Sequence, residues 1–545
     1  MKRLLHALPV STWAPVAALA LFAVTSSPAQ VGGVWNDGPT SVAPFNRWDW
    51  GQAVAPYADW DGDGADDLLV GSHQHAAVVS SATGAVLLEV SGPTGLFGYD
   101  VSDLGDVDGD GVHDFVVARP DGAGWVHVFS GATGTQLYQV QSPTLSGTYG
   151  RAVQGVGDVT GDGVPDFLVA DPWASKAYLQ SGDTGAVHAG IAMNGGDLGG
   201  YALAALPDVT GDGLPDYAVG NYAAYPRGEV KLATGASGTV LQHWVPAGSD
   251  YDSFGDALAP ILDMDGDGLA DLVVGDTGYV AAAGWYAGRV EVRSSADGSV
   301  LWYVDSPQAY LGFGEAVASP GDVDGDGVAD VAVGVPQLDR GWRAEVGGVV
   351  LLAGADGSLL NLWWGDGNGD EFGTDLACGD FDGDGLSLDL AVGVPFVGHP
   401  FPDGDGEVVF LLRDPFLRPV SVEVSGATGG SVTLEADFPA AAAGDDYQLL
   451  LSVSGIGPTT ALGLDVPLTD DPFFQRTLSG DYGMFPSVTN PVGQLDAQGR
   501  ANVVLTFGPG DLAAHVGRAA WLAVLASDQG TGTFTSAPTR LVVVP

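Results

Sequence analysis

Seven copies of one acidic loop, Asp-x-(Asp/Thr)-Gly-Asp-Gly-x-x-Asp, punctuate this chain, the last copy with one extra residue. They begin at Asp59, Asp106, Asp158, Asp208, Asp263, Asp322 and Asp380. A period near fifty residues marks an array of supersecondary units. Each unit buries its apolar face only by stacking on the next.

The chemistry of one copy, Asp106-Val-Asp-Gly-Asp-Gly-Val-His-Asp114, points to a hard cation. Calcium takes six to eight oxygen ligands, and alternate carboxylates at Asp106, Asp108 and Asp110 converge if the chain curls tightly. Gly109 and Gly111 permit the curl, because glycine tolerates positive φ. The Val112 carbonyl and Asp114 complete the set. Without a cation, each pair of carboxylates about 4 Å apart repels by roughly 4 kcal/mol at an effective dielectric of 20.

An EF-hand or dockerin loop needs an acidic twelfth residue and a following helix. Here the loop leads into apolar runs: Phe115-Val-Val117, Phe167-Leu-Val169, Tyr217-Ala-Val219, Leu272-Val-Val274 and Val331-Ala-Val333. Short β-branched and aromatic runs closed by Gly or Pro read as buried strands. A single such loop is also compatible with a metal-free acidic turn; seven in phase argue against that for the set.

An aromatic-Gly pair precedes most loops: Trp50-Gly51, Phe97-Gly98, Tyr149-Gly150, Phe254-Gly255, Phe313-Gly314 and Phe372-Gly373. The fourth repeat has the order reversed, Gly200-Tyr201. After the loop and its strand come a turn such as Val333-Gly-Val-Pro336, a third strand, a Gly turn and a fourth strand. Four strands per repeat around a ring is the propeller arrangement.

These elements together resemble FG-GAP repeats, the blades of the integrin α-subunit propeller and of many secreted bacterial proteins, over roughly residues 31 to 413. The resemblance implies an all-β chain with a seven-bladed propeller, up to seven Ca²⁺ ions in the loops between first and second strands, and a ligand face on the opposite side. Carried over by position, the ligands are loop residues one, three, five and nine and the seventh carbonyl. In the first loop these are Asp59, Asp61, Asp63, Ala65 and Asp67; in the second, the residues named above. The third has Asp158, Thr160, Asp162, Val164 and Asp166, and the fourth Asp208, Thr210, Asp212, Leu214 and Asp216. The fifth has Asp263, Asp265, Asp267, Leu269 and Asp271. The sixth has Asp322, Asp324, Asp326, Val328 and Asp330, and the seventh Asp380, Asp382, Asp384, Leu386 and Asp389.

Thr160 and Thr210 bring a hydroxyl in place of a charge, so loops three and four are expected to bind more weakly. The extra residue in loop seven puts its geometry in doubt. The seventh repeat also lacks an obvious fourth strand. The N-terminal segment Val31 to Asn46 is the expected donor; Pro419-Val-Ser-Val-Glu-Val424 is the alternative.

Lys2 and Arg3 precede an apolar stretch, Ala14 to Val24, and Ser27-Pro-Ala29 offers small residues for cleavage. This reads as a secretory signal over 1–29, too short to be a membrane span. The propeller then occupies 30–413 and a β-sandwich-like domain 414–545, built from strands such as Ser431–Ala436, Tyr447–Val453, Ala501–Phe507, Ala520–Leu525 and Arg540–Val544. A helical turn is expected at Asp511 to Val516. One cysteine, Cys378, rules out an intramolecular disulfide. A net charge of −50 with three lysines makes nucleic acid and anionic membranes poor partners.

No GxSxG, HExxH or P-loop occurs, so no catalytic residue is assigned. His73-Gln-His75 has no third ligand in view. The expected role is an extracellular, monomeric recognition module for a protein or glycan. A calcium-dependent polysaccharide enzyme or a structural surface component are the alternatives. A mixed basic and acidic cluster in a deep cleft would favour the enzyme.

The loops between second and third strands are short in repeats one to three and long in four to seven. The long ones carry Tyr222, Tyr225, Trp285, Tyr286 and Trp342, residue types enriched at binding hot spots. These aromatics are the candidate ligand face; the opposing reading is that they pack the loops against the rim.

Overall fold

The structure is a computed structural model. It describes residues 31–37 and 50–415, apart from 94, 145–146, 195–200, 225–226, 236, 247–252, 282, 324–326, 341–343, 366, 384–386, 397–405, and beyond 415 the elements named below with 458–461, 464–467, 479 and 492–495.

The apolar run after each acidic loop forms the second strand of a four-stranded antiparallel sheet. In blade 2 the order is Val101–Gly105, Asp114–Arg119, Trp125–Phe129 and Gln136–Gln141, each strand paired with the next in sequence. Blades 1 and 3 to 6 repeat it. Burial explains the composition. The second strand of blade 3, Asp166–Asp171, is buried throughout, whereas its fourth strand, Val187–Ala192, is largely exposed. A strand covered on both faces reads as a continuous apolar run; an outer strand does not.

Seven apolar clusters hold the ring together among the described residues, each shared by two adjacent blades. Leu69, Val78 and Val90 of blade 1 meet Phe97, Phe115 and Phe129 of blade 2. The last cluster joins Val54, Leu68 and Val79 of blade 1 to Ala391, Val408 and Phe410 of blade 7. The protein is therefore a closed seven-bladed β-propeller.

The aromatic-Gly pair is the hinge of this packing. Trp50, Phe97, Tyr149, Phe254, Phe313 and Phe372 are all buried, each in the cluster shared with the preceding blade. Fully burying one such ring contributes roughly 1.5–3 kcal/mol. Its glycine lies against the preceding blade's backbone. A Cβ on Gly98, whose φ is +86°, would sit 2.2 Å from the carbonyl oxygens of both Ser72 and His75. Blade 4, with its altered pair, has Tyr217 of its own second strand in the shared cluster.

Blade 7 is completed by the N-terminal strand, as the sequence led us to expect. Val31–Asp37 runs antiparallel to Glu407–Pro415, with Val34 opposite Asp414. The alternative donor region pairs elsewhere: Leu417–Pro419 with Gly430–Asp437, and Glu423–Ser425 with Thr539–Val544.

The C-terminal strands fall where their apolar runs lie. One sheet contains Leu417–Pro419, Gly430–Asp437, Arg500–Phe507 and Ser487–Thr489. In the other, Asp446–Ser452 pairs with Ala519–Asp528. Thr531–Ser536 also pairs in parallel with Val31–Gly32, so this sheet continues that of blade 7. A short helix, Pro472–Leu478, was not anticipated; the helical turn expected at 511–516 lies outside the described residues. No described helix is long and apolar enough to cross a membrane.

Candidate metal loops and the opposite face

Loops 1 to 5 are each wound on their own first carboxylate. In loop 2 the Gly109 and Asp110 N–H groups donate to Asp106 Oδ1 at 2.7 and 3.1 Å, and the Gly111 N–H to Oδ2 at 2.9 Å. The glycines supply the curl, with φ of +79° and +92°. A Cβ at either would meet nothing within 4 Å, so conformation, not space, demands glycine here. Loops 1, 3, 4 and 5 repeat the three bonds.

Asp114, the ninth residue, is wholly buried. Its Oδ2 accepts from the Val107 and Asp108 N–H groups at 2.9 and 3.1 Å, and its Oδ1 from the Gly131 N–H at 2.9 Å. Gly131 lies in the turn between third and fourth strands, so one carboxylate ties the loop to the far side of its blade. Asp216 repeats the pattern with Val209, Thr210 and Gly235. Burial pushes Asp67 up to about 7 and Asp271 to about 6, and raises Asp114, Asp166 and Asp216. Backbone N–H donors partly oppose that rise. A nearby divalent cation would favour the ionised form.

Four loops bring the first, third and ninth carboxylates within 4.8 Å of one another: Asp59, Asp61 and Asp67; Asp106, Asp108 and Asp114; Asp263, Asp265 and Asp271; Asp380, Asp382 and Asp389. These are acidic clusters able to hold a metal ion. The donor atoms are all oxygen, which suits calcium or magnesium rather than zinc. The fifth carboxylates, Asp63, Asp110 and Asp267, accept instead from the seventh N–H at 2.8–3.0 Å. Loops 3 and 4, with Thr160 and Thr210, form no three-carboxylate group among the described residues. The extra residue of loop 7 does not disperse its group. Asp324, Asp326, Asp384 and Leu386 lie outside the described residues.

Repeats of this make-up match known families in two places. Residues 106–169 match the FG-GAP-like repeat and residues 313–352 the FG-GAP repeat. Curated relatives include integrin alpha-5 of Xenopus laevis, 28% identical over 254 residues, covering 45% of this chain and 20% of that protein. The propeller is an integrin α-like FG-GAP propeller. Integrin alpha-3 of Cricetulus griseus is 32% identical over 146 residues, covering 22% of this chain and 14% of its own length. Integrin alpha-IIb of Mus musculus is 32% identical over 161 residues, covering 24% and 15%. The chain thus spans a fifth or less of these relatives.

The opposite face of the FG-GAP propeller carries the long connections. Trp285 and Tyr286 are 55% and 47% exposed; Tyr222 is half-buried. Tyr225 and Trp342 lie outside the described residues. Tyr310, which the sequence reading missed, is 67% exposed. Its ring lies against that of Tyr286, centroids 5.7 Å apart and planes tilted by 33°, and its N–H donates to the Tyr286 carbonyl at 2.7 Å. Both tyrosines have positive φ, +53° and +62°, a conformation costing roughly 1–2 kcal/mol per residue. Only an aromatic in a Gly-rich connection, Tyr310-Leu-Gly-Phe-Gly, marked the spot.

A second feature escaped the sequence reading. First strands line an axial cavity of about 610 Å³, with Asp100, Asp256, Glu315 and Asp375 on its wall. Each follows an aromatic-Gly pair by one or two residues. Asp100 accepts the Val153 N–H of blade 3 at 2.7 Å, and Asp375 the Val54 N–H of blade 1 at 2.8 Å. Burial lifts Asp100 and Asp256 to about 6 and Asp375 to about 7; the Arg151 guanidinium opposes this at Asp100 and Asp256. His75 Nδ1 lies 3.0 Å from Glu89, and the His73–His75 pair belongs to no metal-ligating group among the described residues.

Proposed function

We propose that this chain is a secreted, calcium-stabilised recognition module. Its FG-GAP propeller occupies 30–413 behind a signal peptide over 1–29, and a β-sandwich-like domain follows over 414–545. One observation carries the reading: acidic loops occupy one face of the ring, while exposed Trp285 and Tyr286 stand on long loops at the other. Metal rigidifies one side, and the scaffold then presents loops on the other. Likeness to integrin α-subunits supports adhesion to an extracellular protein or glycan. The test is alanine replacement of Tyr225, Trp285 and Trp342 together. Binding to cells or matrix is expected to be lost while calcium-dependent melting is kept; unchanged binding by the folded variant overturns the ligand face.

The axial cavity favours a second reading, a polysaccharide enzyme, because the Arg151 charge acts on the buried Asp100 and Asp256 carboxylates of its wall. It ranks second because Asp100 and Asp375 already hold the next blade's backbone. Release of reducing ends from polysaccharide, lost in Asp256→Asn, would promote it.

A further inference from the structure

We infer that Trp285, Tyr286 and Tyr310 form a stacking platform for a neutral sugar. The inference rests on the recognition reading and specifies the ligand of that face.

The same backbone pairing occurs in blade 6, where the Glu371 N–H donates to the Glu345 carbonyl at 3.1 Å and both residues have positive φ. That pairing therefore does not require aromatics. In blade 5 two tyrosines occupy it, in a backbone region that bulky residues rarely enter, and both rings face solvent. Core packing explains neither choice. Backbone strain of this kind gathers at ligand clamps.

The surroundings identify the ligand. A Cβ on Gly312, two residues past Tyr310, would lie 2.1 Å from Gln337 Oε1 and 2.8 Å from Glu315 Oε2. Gln337 Nε2 donates to Glu315 at 3.1 Å. A carboxylate and an amide thus meet beside Gly312, two residues along the chain from Tyr310. A pyranose matches both parts: its C–H face lies on the negative face of an aromatic ring, and its hydroxyls reach carboxylate and amide. Acidic sugars are disfavoured, because burial lifts the Glu371 carboxyl and the negative charges of Glu315 and Glu345 nearby lift it further. Arg289, three residues past Tyr286, is sandwiched 3.8 Å from both Tyr279 and Tyr303 and bonded to Asp305. The two tyrosine rings, with exposed Trp285 next to Tyr286 in the chain, offer an area of sugar size, well short of the ~800 Å² per partner of a stable protein interface.

The experiment is titration calorimetry of the full chain in millimolar calcium, with hexasaccharides of neutral glucan, mannan and galactan and of acidic polygalacturonate. Cell and matrix binding is measured in parallel. At least one neutral oligosaccharide should bind. Tyr286→Asn with Tyr310→Asn, and Trp285→Ala separately, should weaken it about tenfold or more. Asn accepts positive φ, so the double variant should melt no lower than the parent. Preference for the acidic oligosaccharide overturns the inference, as does neutral-sugar binding that survives in the folded variants. Binding to cells or matrix without any oligosaccharide binding overturns the sugar and leaves a protein ligand. No binding of either kind removes the recognition reading as well.

Discussion

Asp66 and Asp380 exchange two hydrogen bonds across the seam of the ring. The Asp66 N–H donates to the Asp380 carbonyl at 2.7 Å, and the Asp380 N–H to the Asp66 carboxylate at 3.0 Å. Asp380 is also the first residue of acidic loop 7, and Asp66 is the eighth of loop 1. Gly383 would place a Cβ 3.2 Å from the Gly64 carbonyl. The first and last loops therefore touch where the ring closes. Asp382→Ala should weaken calcium binding in loop 1 as well as loop 7. A calcium isotherm equal to the parent's less one independent site shows the loops to be uncoupled. Asp66→Ala should cost about 1 kcal/mol in chelator, the worth of one hydrogen bond.

Calcium should raise the melting temperature strongly. Extracellular modules bind calcium with Kd of about 10⁻⁴–10⁻³ M, and at ten times Kd one site adds roughly 1.4 kcal/mol. Several such sites rival the stability of an ordinary domain. Magnesium dehydrates reluctantly and should do little. Identical melting curves in chelator and in millimolar calcium would remove calcium from the account.

Loops should rank by charge. Asp108→Ala takes a carboxylate from a three-carboxylate group, whereas Thr160→Ala takes an uncharged hydroxyl. Calorimetry should show the larger loss of calcium affinity in the first. Equal losses would falsify the role given to the third position.

Phe97→Ala should destabilise the ring by about 3–5 kcal/mol, because Phe97 is fully buried between blades 1 and 2. Gly98→Ala should also lower the melting temperature, since its Cβ has two carbonyl oxygens in the way. Denaturant melts check both; a Gly98→Ala chain as stable as the parent contradicts the docking described for the pair.

The axial carboxylates should make stability fall as pH rises. Burial holds the Asp100 and Asp375 carboxyls up at about 6 and about 7, above the ordinary carboxylate range. A raised carboxylate means the folded state binds more protons. Its stabilisation is complete below the unfolded pKa and is lost as pH rises through the folded value. In saturating calcium, the parent should melt lower at pH 7.5 than at pH 5.5. Asp100→Asn with Asp375→Asn should flatten that slope; an unaltered slope assigns it elsewhere.

Period and local chemistry made the fold legible. Copies of one loop and one aromatic-Gly pair located the blades, and the missing fourth strand after Leu412 pointed to the N-terminal segment. The roles of Asp114 and Asp100 were not legible. Both look like further acids in an acid-rich sequence, and only the fold brings Gly131 to one and Val153 to the other. Tyr310 was hidden for a similar reason: nothing local distinguishes it from a rim residue, and its partner Tyr286 sits in another connection. The acidic loops are contiguous in sequence, so their clustered carboxylates could be read there. The axial cavity and the tyrosine pair are assembled from separate blades or connections, so they could not.

The N-terminal strand that completes blade 7 is the first part of the propeller to be synthesised, and its partner Glu407–Pro415 is the last. At about 5–20 residues per second, the first waits roughly tens of seconds for the second. Blades 1 to 6 are made of consecutive strands and can form as each emerges. Closure alone depends on both ends being present. A chain cut short before residue 407 would leave blade 7 incomplete, with an unpaired strand edge open to aggregation. The topology thus checks that synthesis has passed the last blade.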